Sequence, residues 1–323
     1  MHHLKLLRSL APTAVALFAA TVLAAPAFAR SAIFTLTDPR GDDHGDGNLV
    51  YPMSSELNKG ELDLLSVSAR KQGDGTLFEL TFAQPVRVPE RRAVDFAGTQ
   101  LDTVARFGFY TLNVDIYIDT DRVAGSGGTG MLPGRHAEVD PASAWEKAVV
   151  LTPRPHEARG ELKRMLMREL QEDTREGEVP REKAEALKLQ IPGDVESRIF
   201  FPTDIRVRGN KISFVVPASF LGGPAKDTWA YVVAVSGSNV LQSVDINRVL
   251  GRSSEEELMI LPVSPGRWQD RFGGGRDDAP NQPPLIDILV PEGKKQETIL
   301  ADFDHVRNRP AVLPGVVPAE QKK

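Results

Sequence analysis

Tyr110-Thr111-Leu112-Asn113-Val114-Asp115-Ile116-Tyr117-Ile118-Asp119 carries the clearest period of two in the 323-residue chain. Successive side chains alternate across a strand. Tyr110, Leu112, Val114, Ile116 and Ile118 therefore share one face, and Thr111, Asn113, Asp115, Tyr117 and Asp119 the other. The first set is a core face. The second is a row of hydrogen-bonding groups with one aromatic. It admits two readings: a solvated outer face, or a surface on which Asn113, Asp115 and Tyr117 meet a ligand.

The same alternation recurs on both sides. A short strand over residues 33–37 feeds an acidic loop. Leu65, Val67 and Ala69 alternate with Ser66 and Ser68, Gly73-Asp74-Gly75 marks a hairpin turn, and Phe78, Leu80 and Phe82 resume the pattern. Downstream, strands are expected over residues 145–151, 199–201, 205–207, 212–216, 229–235 and 285–290. One stretch breaks the rhythm. Leu162, Met165, Leu166 and Leu170 recur at helical spacing among Lys, Arg and Glu, and residues 182–189 look similar after a break at 177–180. The pattern predicts a mainly β chain: one antiparallel β-sandwich with immunoglobulin-like layers over residues 30–306, and an inserted helical pair at 157–189. Residues 307–323, rich in proline and charge, read as a disordered tail.

The chain opens with a basic start over residues 2–8, an apolar run over 10–25, and the small-x-small triplet Ala27-Phe28-Ala29. Residues 1–29 read as a secretory signal peptide, leaving a mature chain from Arg30 in the periplasm or outside the cell. The apolar run is too short to argue for a permanent span, and no other stretch is apolar enough to cross a bilayer. There are no cysteines, which excludes disulfides, thiolate zinc sites and a lipid-anchoring cysteine. A formal net charge of −5 leaves no electrostatic footprint for nucleic acid. About 290 residues remain after processing, enough for a large core.

Chemistry concentrates in Asp38-Pro39-Arg40-Gly41-Asp42-Asp43-His44-Gly45-Asp46-Gly47-Asn48-Leu49-Val50-Tyr51-Pro52, with four carboxylates, three glycines and two prolines in fifteen residues. Such a stretch cannot be a helix or a central strand, but it can wrap oxygens around a hard cation. Asp38, Asp42, Asp43 and Asp46 are the candidate ligands, with Asp63 joining from the next strand. Calcium is favoured because these ligands are all oxygens and no histidine cluster accompanies them. The EF-hand pattern fails, since His44 takes its third position and Met53 its twelfth, where glutamate is required. The simpler alternative is a solvated Asp/Gly turn. Asp119 and Asp121 pose the same choice on a smaller scale, with the acidic turn the simpler reading.

Sugar binding needs an aromatic platform, for which Tyr51, Tyr117, Trp145, Trp229 and Trp268 are available. Trp145 and Trp229 sit in strand patterns and read as core, whereas Trp268, among Gly266, Arg267 and Gln269, reads as exposed. Enzyme signatures are weak. Carboxylate pairs for a glycosidase can always be proposed in so acidic a chain. Val235-Ser236-Gly237-Ser238 lacks the nucleophile elbow, and the glycine-rich segment 121–135 matches no phosphate-binding fingerprint.

Four stretches together resemble a known family. They are the acidic loop itself; Asn113-Val114-Asp115-Ile116-Tyr117-Ile118-Asp119; Leu132-Pro133-Gly134-Arg135-His136-Ala137 with Ala144-Trp145-Glu146-Lys147-Ala148; and Arg271-Phe272-Gly273-Gly274-Gly275 with Pro284-Leu285-Ile286-Asp287-Ile288-Leu289. In this order they resemble the C-terminal module of bacterial glucodextranases, found also in amylopullulanase-type enzymes. The resemblance implies a DOMON-like or carbohydrate-binding β-sandwich that is accessory rather than catalytic. Together with the leader, the acidic loop and the aromatic candidates, this gives the expectation of a secreted module for α-glucan or cell-envelope glycan, with calcium shaping the loop and Tyr117, Asn113, Asp115 and Trp268 as sugar contacts. The alternative expectation is a structural or interaction protein of the same fold that takes a protein partner through the helical pair.

Overall fold

The computed structural model describes residues 31–90, 105–239, 257–277, 279 and 281–321. The leader expected over residues 1–29 lies outside them. Two five-stranded sheets account for most of the strands among the described residues. The first runs β1 (Phe34–Thr37), β2 (Leu64–Gln72), β3 (Gly75–Phe82), β9 (Lys211–Pro217) and β8 (Ile205–Arg208), all antiparallel. The second runs β11 (Leu285–Ile288), β10 (Ala230–Gly237), β4 (Leu112–Asp119), β6 (Lys147–Leu151) and β7 (Ile199–Phe200), antiparallel except for the β6–β7 pair. A small parallel pair joins β5 (Ala137–Val139) to β12 (Ala311–Leu313).

The alternating side chains make the layers. Phe34, Leu36, Val67, Phe78, Leu80, Phe82, Ile212 and Phe214 from the first sheet meet Leu112, Val114, Ile116, Ile118, Val149, Tyr231 and Val233 from the second in one core. The second sheet also buries its other face. Tyr117, Ala148, Val150, Val232, Ala234 and Ile288 pack beneath a cover supplied by both helices and the C-terminal segment. Every residue of β4 and of β10 is consequently buried.

The cover has three parts. Helix α1 (Pro155–Glu176) presents Ala158 and Leu162, and stops at Gly177, whose φ of 87° suits a left-handed cap. Helix α2 (Arg181–Arg198) contributes Val195 and runs through Pro192, farther than the expected end at Leu189. The third part is the segment read as a tail, and there the structure differs from expectation. Ala311 and Leu313 are buried in β12, and Val316 exchanges backbone hydrogen bonds with Tyr231 and packs in the core between the two sheets. Proline and charge at 307–323 suggested disorder, but the apolar residues Ala311, Leu313, Val316 and Val317 bury enough surface to hold it.

Two further short helices complete the outline: α3 (Ala218–Leu221), and α4 (Gln296–Ala301), which follows β11.

Candidate functional site

Strands β1 and β11 are the terminal strands of their sheets. The chain leaves β1 into the acidic loop, so Asp38 stands at the edge of the first sheet. Asp287 stands within β11, the edge of the second. Oxygens of Asp38, Asp42 and Asp287 lie within 4.8 Å of one another. Asp287 is fully buried; its Oδ2 accepts from the Leu64 backbone N–H at 2.6 Å, which ties the start of β2 to β11. Its Oδ1 is buried without a backbone or side-chain donor, as is Oδ1 of Asp42, and the Asp38 carboxyl beside it can share a hydrogen bond with Asp287 only when one of the two carries a proton.

Three carboxylates held this close repel one another and lose hydration, so their charged forms are disfavoured. Burial, with the neighbouring charge of Asp42, pushes Asp38 up to about 8. Burial likewise pushes Asp42 up to about 6. Asp287 is driven well above the usual carboxylate range, again chiefly by burial and then by the charges of Asp38 and Asp42. Burial and mutual repulsion therefore favour protonation of Asp38 and Asp287 wherever no counter-charge is near. A hard divalent cation would supply that counter-charge and give each orphaned oxygen a partner. The donor set, all carboxylate oxygen, fits calcium.

Of the residues expected to bind metal, Asp38 and Asp42 belong to this cluster. Asp63 stands beside it: its Oδ2 accepts from the Gly41 N–H at 2.8 Å, its Oδ1 is orphaned, and burial raises it. Asp43 and Asp46 are occupied differently. Asp43 Oδ2 accepts from the Tyr51 hydroxyl at 2.5 Å and from the Gly60 N–H at 2.6 Å. Asp46 accepts from the Asn48 N–H and from Gln282 Nε2, and Arg276 lies 3.9 Å away. These two brace the loop, although Oδ1 of Asp43 is also buried without a partner.

Asp287 was not among the expected ligands. The available signal was a lone acid inside the apolar run Leu285-Ile286-Asp287-Ile288-Leu289. A charge in such a run calls for a buried partner.

The rest of the loop is pinned by side chain and backbone. Gln296, at the start of α4, is buried; its Nε2 donates to the carbonyls of Asp42, Gly45 and Ile286 while its Oε1 accepts from the Ile288 N–H. Gly45 adopts φ 60° against β11, where a Cβ would come within 2.8 Å of the Leu285 carbonyl oxygen. Farther on, Val50 pairs with Gly273 in both directions, and the Met53 N–H donates to the Trp268 carbonyl at 2.7 Å. Arg267 Nε donates to the Tyr51 carbonyl at 2.7 Å. Gly274 is required here: a Cβ would stand 2.0 Å from the Asn48 carbonyl oxygen, at φ 81°.

The expected sugar contacts separate. Trp268 is 62% exposed on the segment zipped to the acidic loop. Asn113, Asp115 and Tyr117 are interior, so they form neither a solvated face nor an open ligand surface. The row is polar because it carries a buried network. Arg135, 1% exposed, donates to both oxygens of Asp115, from Nε at 2.6 Å and Nη2 at 3.0 Å. The Tyr117 hydroxyl donates to Asp115 and accepts from the Leu132 N–H at 2.9 Å. Asn113 donates to the carbonyls of Gly237 and Met259. Trp145 and Trp229 are buried, as their strand patterns indicate. Tyr51 is also buried.

A second acidic group, Asp119, Asp121 and Glu146, gathers at the other end of β4. Its oxygens are largely engaged by Thr120, Arg122, Val123 and Ser126. Arg122 also approaches Asp119 at 3.7 Å. It reads as a braced acidic turn.

Fold and site thus define a β-sandwich in which half-buried Asp38 and Asp42 are brought to fully buried Asp287 at the edges of the two sheets. Over residues 33–316 the chain matches the C-terminal binding module, SLH-like, of glucodextranase, and it belongs to that family. The family is one of binding modules rather than catalytic domains, as the resemblance in the sequence implies. No curated protein matches the chain. Among the described residues, no helix is long and apolar enough to cross a membrane.

Proposed function

We propose that this protein is an exported, non-catalytic module that binds carbohydrate, an α-glucan or a cell-envelope glycan, and that it carries a structural calcium ion. The carrying observation is the set of buried oxygens without a backbone or side-chain donor on Asp38, Asp42 and Asp287 where the two sheet edges meet. Gathering three carboxylates, one of them fully buried, disfavours their charged forms, and a cation would offset that cost while stapling the loop to β11. Membership of a binding-module family supports the carbohydrate part. The helical pair gives weaker support to a protein partner, since Ala158, Leu162 and Val195 face the interior and Leu189 is its large exposed apolar side chain.

Affinity electrophoresis of the mature protein through gels containing dextran, soluble starch or purified cell-wall polysaccharide, all with calcium, tests the reading. Retardation in at least one gel, with no reducing ends released, is the expected result. Free migration in all of them would overturn the carbohydrate assignment, and released reducing ends would overturn the non-catalytic one.

A further inference from the structure

The described residues expose eight large hydrophobic side chains, and three of them, Val50, Met53 and Trp268, sit on one pair of zipped segments. The pairing is direct. Val50 exchanges backbone hydrogen bonds with Gly273, and Met53 donates its N–H to Trp268. Scattered exposed apolar residues need no explanation, but a cluster on a rigid edge does.

The indole lies beside Gly266, where an added Cβ would come 3.1 Å from Trp268 Nε1. Arg267, whose guanidinium binds the carbonyls of Tyr51 and Pro52, fixes the backbone next to it. Gln269, Asp270 and Arg271 follow within three residues; Asp270 and Arg271 pair with each other at 3.4 Å. An exposed aromatic plane on a segment that carries polar side chains suits a pyranose, which presents an apolar face and a rim of hydroxyls.

The platform is also connected to the carboxylate cluster. Asp42 is a candidate ligand; the next residue, Asp43, holds the Tyr51 hydroxyl; and the Tyr51 carbonyl holds Arg267. Asp42, Tyr51 and Met53 belong to one short loop, and its far end carries the Trp268 segment. A loop whose conformation depends on an ion passes that dependence to whatever it supports.

We infer that the Val50–Met53–Trp268 ridge is the docking surface for a glycan chain, with the Trp268 indole as its platform, and that the ion held by Asp38, Asp42 and Asp287 keeps the ridge in its binding form. The inference rests on the binding-module reading above, to which it adds the place of contact and its control.

The test measures dextran and soluble-starch affinity, by calorimetry and affinity electrophoresis, for the wild type and Trp268→Ala in calcium, and for the wild type in chelator. Trp268 is exposed, so the variant is expected to keep the wild-type melting temperature and its calcium response. Its affinity falls about tenfold or more, the size of effect that loss of a central aromatic anchor produces. Wild-type affinity falls comparably in chelator and returns with calcium. Undiminished affinity in Trp268→Ala would place the glycan elsewhere and overturn the surface while leaving the binding function intact. Undiminished wild-type affinity in chelator would overturn the control by the ion. No wild-type binding to any glycan would instead remove the underlying function.

Discussion

Asp287 has the most to lose from any change in its surroundings. It is fully buried, one oxygen satisfies Leu64, and the other has no backbone or side-chain donor beside Asp38 and Asp42. The pH response follows from the raised carboxyls. In metal-depleted protein the native state holds protons on Asp38 and Asp42 that the unfolded chain releases near pH 4. Their contribution to stability is thus complete below about pH 4, and is lost as pH rises through about 6 and then about 8. Calcium competes with those protons, so the rise in melting temperature that it produces should be larger at pH 8 than at pH 5. Scanning calorimetry at both values measures this; an equal rise at both would show that these carboxyls do not bind the ion. Asp115 has a different role. Its pairing with buried Arg135 is bidentate, and removing one member of a buried pair leaves the other uncompensated. Asp115→Ala is expected to cost about 3–5 kcal/mol in urea unfolding, and a loss under about 1 kcal/mol would mean the network is solvated.

At the scale of elements, period-two alternation identified the strands and their core-facing side chains, because a strand reports its own geometry. It could not report what lies over the second face. The Asn113–Asp115–Tyr117 row looked like surface because its partners come from other segments: Arg135 for Asp115, Leu132 for Tyr117, and the carbonyls of Gly237 and Met259 for Asn113. The helical insertion was legible from Leu162 and Met165, but its second helix continues past Leu189 and through Pro192 to Arg198. Leu162 gives a direct test of the cover. It is 1% exposed against the second sheet, and Leu162→Ala should cost about 2–5 kcal/mol. A cost near zero would mean that the helical pair only rests on the sandwich. The glycine run Gly273-Gly274-Gly275 also has its reason at this scale. It lets the Trp268 segment approach the acidic loop more closely than any Cβ allows, as the 2.0 Å approach at Gly274 shows.

For the whole molecule, two edges and one end decide the architecture. The C-terminal segment covers the second sheet, so truncation before Ala311 should expose Ala137, Val139 and the Tyr231 backbone and lower the melting temperature by several degrees. Unchanged melting would restore the view of that segment as a loose tail. The other decisive feature is the meeting of β1 and β11. The sequence revealed half of it, because clustered Asp and Gly in one loop are visible locally; the other half, Asp287, is brought in only by the fold. The measurement that tests the account most directly is thermal unfolding of the mature protein in chelator and in saturating calcium, for the wild type and Asp287→Asn. The asparagine keeps an oxygen for the Leu64 N–H and replaces the other with an NH2 group that cannot coordinate a cation. Calcium a hundredfold above its dissociation constant stabilises a native-state binder by about 2.7 kcal/mol. The account predicts a wild-type rise of several degrees that Asp287→Asn loses. Identical wild-type melting with and without calcium would contradict it.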